Sequence, residues 1–177
     1  MSYINLLEIQ DKEVLFRVGC QAGTYIRKLI HDMGQELKTG AHMAQLIRTK
    51  AGPFTYKTWH VLQDLKDAYE FYKEGDDTEI RKVVLPYEQV VSSMKKIWVH
   101  DSAIDTLCHG SSLGVPGVSK CHANILPRDH VAFMTLKEEL IGIGVAQLTS
   151  QEMYHNQKGL AAVSNKVFME RGTYKRL

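Results

Sequence analysis

The 177-residue chain is 24% charged and 44% hydrophobic, enough apolar material for one substantial core or two small ones. Its 22 basic and 20 acidic side chains are mixed through the sequence, with no run of eighteen apolar residues and no charged-then-apolar leader. A spanning helix, a secretory signal and a disordered charged tail are therefore disfavoured, and a soluble intracellular protein with no membrane partner is expected.

Alternation of Val14, Phe16, Val18 and Cys20 with Leu15, Arg17 and Gly19 predicts a half-buried strand. Gln21-Ala22-Gly23 turns the chain, and Thr24 is placed as the N-cap of a helix. Ile26, Leu29, Ile30, Met33 and Leu37 recur at helical spacing until Lys38, Thr39 and Gly40 close the element. A short strand is expected near Leu46 to Thr49. A second helix is expected over Trp59 to Tyr72, broken by Gly75-Asp76-Asp77.

Charge is segregated along this half. Seven basic residues between Arg17 and Lys57 face only Asp32 and Glu36, which suits either a landing site for a polyanion or a solvated basic face. Residues 64–79 are the acidic counterpart, read as a solvent-facing helix or a docking surface for a basic partner.

From about Ile97 the pattern changes to short apolar runs separated by turns. A helix from Ser102 to Cys108, capped by Asp101 or Ser102 and ended by Gly110, precedes a loop from Ser111 to Gly117. Val131–Leu136 and Leu140–Leu148 read as a hairpin, and Gly142 and Gly144 within it mark places where another backbone passes closely. The whole is the pattern of a small β-barrel.

The start of the first helix holds a conflict. Arg27 and Lys28 put two cations in a first turn whose dipole favours anions by about 0.3 to 1 kcal/mol per charge. A nearby carboxylate or phosphate resolves it; so does extension of both side chains into solvent. Cys20, Cys108 and Cys121 are odd in number and too sparse for a disulfide scaffold, so three thiols are expected. Cys108-His109 and Cys121-His122 lack the spacing of a zinc site, and Gly142-Ile143-Gly144 lacks the rest of a dinucleotide fingerprint.

Three stretches carry a more specific signal: Phe16-Arg17-Val18-Gly19-Cys20, Gly23-Thr24-Tyr25-Ile26-Arg27-Lys28-Leu29, and Gly40-Ala41-His42-Met43-Ala44-Gln45-Leu46-Ile47-Arg48-Thr49 followed by Gly52-Pro53-Phe54. Together they resemble the later catalytic-domain motifs of TruB-type pseudouridine synthases. His109-Gly110, Val115-Pro116-Gly117, Met134-Thr135-Leu136-Lys137, Leu148-Thr149-Ser150-Gln151-Glu152-Met153 and Lys166-Val167-Phe168-Met169 resemble the PUA domain of the archaeal and eukaryotic dyskerin branch. The resemblance implies an α+β chain: the C-terminal part of a synthase catalytic domain, a mixed sheet with helices, over residues 1–95, a PUA β-barrel over 96–172, and a tail over 173–177.

It also implies a chemistry. In such enzymes a uridine is flipped from the RNA, an aspartate attacks, the glycosidic bond breaks, and the base rotates and rejoins through carbon. By motif position Tyr25 lines the pocket against the flipped uracil, Arg27 pairs with the aspartate, and Leu46 packs against the base. RNA contact is expected from Lys28, His42 and Arg48 in the first domain. In the second it is expected from Cys108, His109, Gly110, Leu113, Val115, Pro116 and Gly117, flanked by Lys120, Lys158 and Lys166, with the 3′ ACA of a guide RNA or a tRNA 3′ end in the barrel. No metal and no organic cofactor is implied. The family's aspartate lies in a Gly-Thr-Leu-Asp-Pro motif that this sequence does not contain, so the chain is read as a fragment or one half of a split enzyme, inactive alone. The partners implied are H/ACA guide RNA, an rRNA or tRNA substrate, the small H/ACA ribonucleoprotein subunits and the N-terminal half of the synthase. A stand-alone PUA-type RNA-binding protein and a protein scaffold using residues 64–79 stay open as alternatives.

Overall fold

The computed structural model describes residues 1–174, and its chain divides into two units, Met1–Arg48 and Thr49–Leu177. The last three residues of the expected tail, 175–177, lie outside the described residues.

The first unit opens with an antiparallel pair, β1 (Tyr3–Gln10) and β2 (Glu13–Gly19), joined by a tight turn in which Asp11 takes a φ of 50°. The strand expected around Val14 is β2. Its partner β1 has no clean alternation, because Tyr3, Ile4, Leu6, Leu7 and Ile9 put apolar groups on both faces, and all five are exposed. Helix α1 (Ile26–Glu36) follows. Its N-cap is Tyr25, not the expected Thr24: the Thr24 N–H donates to the Gln21 carbonyl in the preceding turn, and no side chain caps the helix. At the other end Gly34 is buried, and a Cβ there would sit 2.2 Å from the Ala41 nitrogen. Its missing side chain lets the returning loop lie on the helix, where the Thr39 and Gly40 N–H groups donate to the Gly34 carbonyl.

In the second unit the strand expected at Leu46–Thr49 is displaced. The paired residues are β3 (Lys50–Ala51) and β4 (Phe54–Thr55), which close around Gly52-Pro53; the Thr49 carbonyl still accepts the Tyr56 N–H at 3.0 Å, while 46–48 lie outside the ladder. Helix α2 (Leu62–Lys73) begins three residues later than expected, where the Asp64 carboxylate accepts the Val61 N–H at 3.0 Å. A short α3 (Ile80–Val83) follows. The acidic run is solvent-facing and laced with local pairs such as Lys82–Glu79 and Arg81–Asp77.

A six-stranded, nearly closed sheet comes next, in the order β6-β10-β9-β8-β5-β7. Its strands are β5 (Lys95–Val99), β6 (Leu113–Gly114), β7 (Val118–Cys121), β8 (His130–Met134), β9 (Leu140–Ala146) and β10 (Leu160–Val167). The expected hairpin is β8–β9, and the parallel pairing β5–β8 makes this the mixed sheet of the chain, whereas the first unit has only its antiparallel pair. A Cβ on Gly142 would meet the Lys166 carbonyl at 2.5 Å and one on Gly144 the Val163 carbonyl at 2.3 Å, so both glycines exist for the close passage of β10.

Helix α4 (Asp101–Cys108) has His100 as N-cap with no side-chain bond, not Asp101 or Ser102, and ends at Gly110 with a φ of 87°. Helix α5 (Ser150–His155) is fixed by a reciprocal cap: Thr149 Oγ1 accepts the Glu152 N–H, and Glu152 Oε2 accepts the Thr149 N–H. Period-two alternation splits the core. Ile97, Val99, Val131 and Phe133 join Ile104, Leu107 and Met153 on one side, while Trp98, Ala132 and Met134 join Val91 and Leu140 on the other. No helix among the described residues is long and apolar enough to cross a membrane.

Candidate functional site

The entry to α1 builds one groove, of about 640 Å³, lined by Tyr25, Arg27, Lys28 and His31. Tyr25 is extended, at φ −89° and ψ 104°, and its ring is 80% exposed one residue before the helix begins. Arg27 and His31 share a helix face at i and i+4, as do Lys28 and Asp32. Lys28 Nζ lies 2.5 Å from Asp32 Oδ1, so one of the two cations in the first turn finds its carboxylate a turn further on. Arg27 has no carboxylate partner among the described residues.

Tyr25, Arg27 and Lys28 are thus brought together as expected positions of one surface. His42, Leu46 and Arg48 are exposed on the irregular segment after α1 and do not line this groove. His31 was missed by motif reading, although its i+4 spacing from Arg27 was available to find it.

A second groove, of about 360 Å³, runs between α4 and the 112–117 segment. The helix contributes Ser102 and Thr106, and the segment contributes Ser112, Gly114, Pro116 and Gly117. The walls offer hydroxyls and backbone groups and no charged side chain. The segment is held from outside by β10, since the Val115 N–H donates to the Gly159 carbonyl at 2.9 Å and Leu160 pairs with Gly114.

Several expected contact residues take other places. Cys108, Leu113 and Val115 bury their side chains in the core, which leaves only their backbone for a ligand. His109 folds back with Nδ1 2.8 Å from the Asp105 carbonyl oxygen. Lys120 is drawn onto the Trp98 ring, 4.5 Å from its centroid, and toward Glu138. Lys166 pairs with Ile143 at the far end of β10, six residues and about 20 Å of strand from Leu160. Lys120 and Lys166 therefore do not flank the groove; Lys158, next to Gly159, adjoins its outer wall.

All three cysteines are free thiols. Burial, with a smaller contribution from the Asp105 charge, pushes the Cys108 thiol up, and burial alone does the same for Cys121. Among the described residues no group of three or more His, Cys, Asp or Glu side chains is arranged to hold a metal ion.

Residues 27–92 match the tRNA pseudouridylate synthase B C-terminal domain family, and residues 95–168 match the PUA domain family. A Methanosarcina barkeri protein named "Probable tRNA pseudouridine synthase B" is 51% identical over 173 residues, which is 97% of this chain and 51% of that protein. A protein of the same name from Pyrococcus furiosus is 50% identical over 177 residues, 99% of this chain and 52% of that protein. Among solved structures, an archaeal box H/ACA Nop10-Cbf5 complex matches with a TM-score of 0.92 at 49% identity, over 99% of this chain and 58% of that one. An H/ACA ribonucleoprotein bound to a substrate RNA containing 2′-deoxyuridine matches with a TM-score of 0.90 at 49% identity, over 99% and 56%. The chain spans about half the length of the curated relatives it matches.

Proposed function

The chain is homologous to the C-terminal region of TruB-type pseudouridine synthases, PUA domain included, and from that premise we propose that it is the RNA-binding part of a guide-RNA-dependent synthase acting on uridines of rRNA or tRNA. In this reading the nucleophilic aspartate comes from an N-terminal half of the enzyme, and Arg27 supplies the cation that holds it. Tyr25 lies against the flipped uracil, Leu46 packs on the base once that half is present, and Lys28, His42 and Arg48 meet the RNA backbone. The observation that carries the reading is Arg27, a guanidinium beside an exposed tyrosine at a helix start, with no carboxylate partner among the described residues. The 112–117 groove receives a single-stranded RNA 3′ end through hydroxyl and backbone groups, a mode suited to unpaired RNA. The small H/ACA subunits and guide RNA are the partners, and the site of action is the cytoplasm.

Binding of ACA-ended RNA and of the same RNA with the trinucleotide scrambled, measured across salt concentrations, tests this. Each phosphate neutralised on a single strand adds about −0.7 to the slope of log K against log salt. A slope of about −2 or steeper and tighter binding of the ACA-ended RNA are expected. Gly114→Val is the companion variant: a Cβ at Gly114 meets its neighbours at an ordinary 3.6 Å, so the bulk is added to the groove's wall without backbone strain. It should remove the preference for ACA. Binding that ignores salt would favour the protein-scaffold alternative.

A further inference from the structure

The groove is continued on its outer side by a run of exposed residues of which only Lys158 has so far been given a part. From Tyr154 to Leu160 every residue is exposed, and from Met153 to Met169 the sequence has no acidic residue. Tyr154 is 83% exposed, the most of any aromatic side chain in the barrel domain. It is not on a loose loop. Helix α5 is clamped at its start by the Thr149–Glu152 cap, and Ser150 Oγ accepts the Ile125 N–H at 2.9 Å. Met153, next to Tyr154, is buried in the core and fixes which face of the helix looks outward. His155 stands edge-on to the Tyr154 ring, with centroids 5.1 Å apart and planes at 83°, which leaves a flat aromatic face open to solvent.

The chain then runs through Asn156, Gln157 and Lys158 to Gly159, whose carbonyl holds the wall of the groove. Four residues separate Tyr154 from Gly159, so the ring's Cα lies at most about 17 Å from that wall. We propose that Tyr154 is a stacking platform for an unpaired base of the RNA strand entering the 112–117 groove, with Lys158 meeting the intervening phosphate. The inference rests on the RNA-binding reading above. Stacking on an exposed ring needs no particular base, since every base has a π-face, so the platform adds affinity without sequence preference. That complements a groove whose own walls lack charge.

The test uses the whole chain and a single-stranded RNA of about ten nucleotides ending in ACA, with 2-aminopurine just upstream of the trinucleotide. The fluorescent base should be quenched on binding to the unsubstituted chain and to Tyr154→Phe. Tyr154→Ala should lose the quenching and bind about tenfold more weakly, with an unchanged salt slope and melting temperature. Lys158→Ala should instead make the slope shallower by about 0.7. Unchanged affinity or undiminished quenching in Tyr154→Ala overturns the platform while leaving the groove reading in place. Failure of the unsubstituted chain to bind the RNA at all overturns the RNA-binding reading and the platform with it.

Discussion

Arg27 shows how a local electrostatic misfit points outward. A guanidinium in the first turn opposes the helix dipole, and Arg27 has no carboxylate partner among the described residues, whereas its neighbour Lys28 is compensated by Asp32. Both cations are exposed, so neither contributes much to folding. Arg27→Ala, assayed with the N-terminal half supplied, should therefore cut isomerisation by about 10²-fold or more while shifting stability by under about 0.5 kcal/mol. Parallel rate and melting measurements separate this from a structural role, for which melting falls and turnover of the folded fraction is normal. The motif reading placed Tyr25, Arg27 and Lys28 on one surface because they lie within four residues at the entry to α1. The placement of Lys120 was not legible, because nothing local shows that Trp98, paired across from it on β5, captures its ammonium group. That of Lys166 was hidden for a related reason: its distance from the groove depends on the register of β10, which no short motif carries.

Helices α1, α2 and α4 were legible from one-sided apolar spacing, and the β8–β9 hairpin from two apolar runs set around a turn. Strand β1 was not, since apolar groups on both faces erase the alternation that marks a half-buried strand. Helix α5 is too short for periodicity, although Thr149-x-x-Glu152 is a capping-box signature that marks its start. The turn joining β8 to β9 also contains a polar knot invisible to pattern reading. Thr135 is fully buried, and Glu139 accepts hydrogen bonds from its hydroxyl at 2.9 Å and from the Tyr174 hydroxyl at 2.5 Å. The bond from Tyr174, and then that from Thr135, hold the Glu139 carboxyl below its usual range. A carboxyl depressed by folding stabilises above its unfolded pKa, about 4.3, and that stability is lost as pH falls through the lower folded value. Between pH 5 and pH 3 the unsubstituted chain should lose more stability to denaturant than Glu139→Gln does. Equal losses in both would remove Glu139 from the acid response.

At the scale of the molecule, the sequence marks the change of architecture near residue 95, but the core reaches further back. Val91 is buried with Trp98, Met134 and Leu140; the Glu88 carboxylate accepts the Leu140 N–H at 2.9 Å; and Tyr87 stacks on Phe168. The segment before β5 is thus part of the barrel's second core. Such contacts span some fifty residues or more and leave no local signature, as does the parallel pairing of β5 with β8. In the first unit Tyr3, Ile4, Leu6, Leu7 and Ile9 remain exposed on a two-stranded sheet, a form that is marginal by itself. Arg27, with no carboxylate partner among the described residues, carries the central proposal: this part binds RNA and positions the uridine, and the nucleophile is supplied by another segment. Tritium release from RNA labelled at the uracil carbon that forms the new glycosidic bond tests it most directly. No release by the chain alone is expected, and release once the N-terminal half is added; release by the chain alone, at a rate the added half does not change, would contradict the proposal.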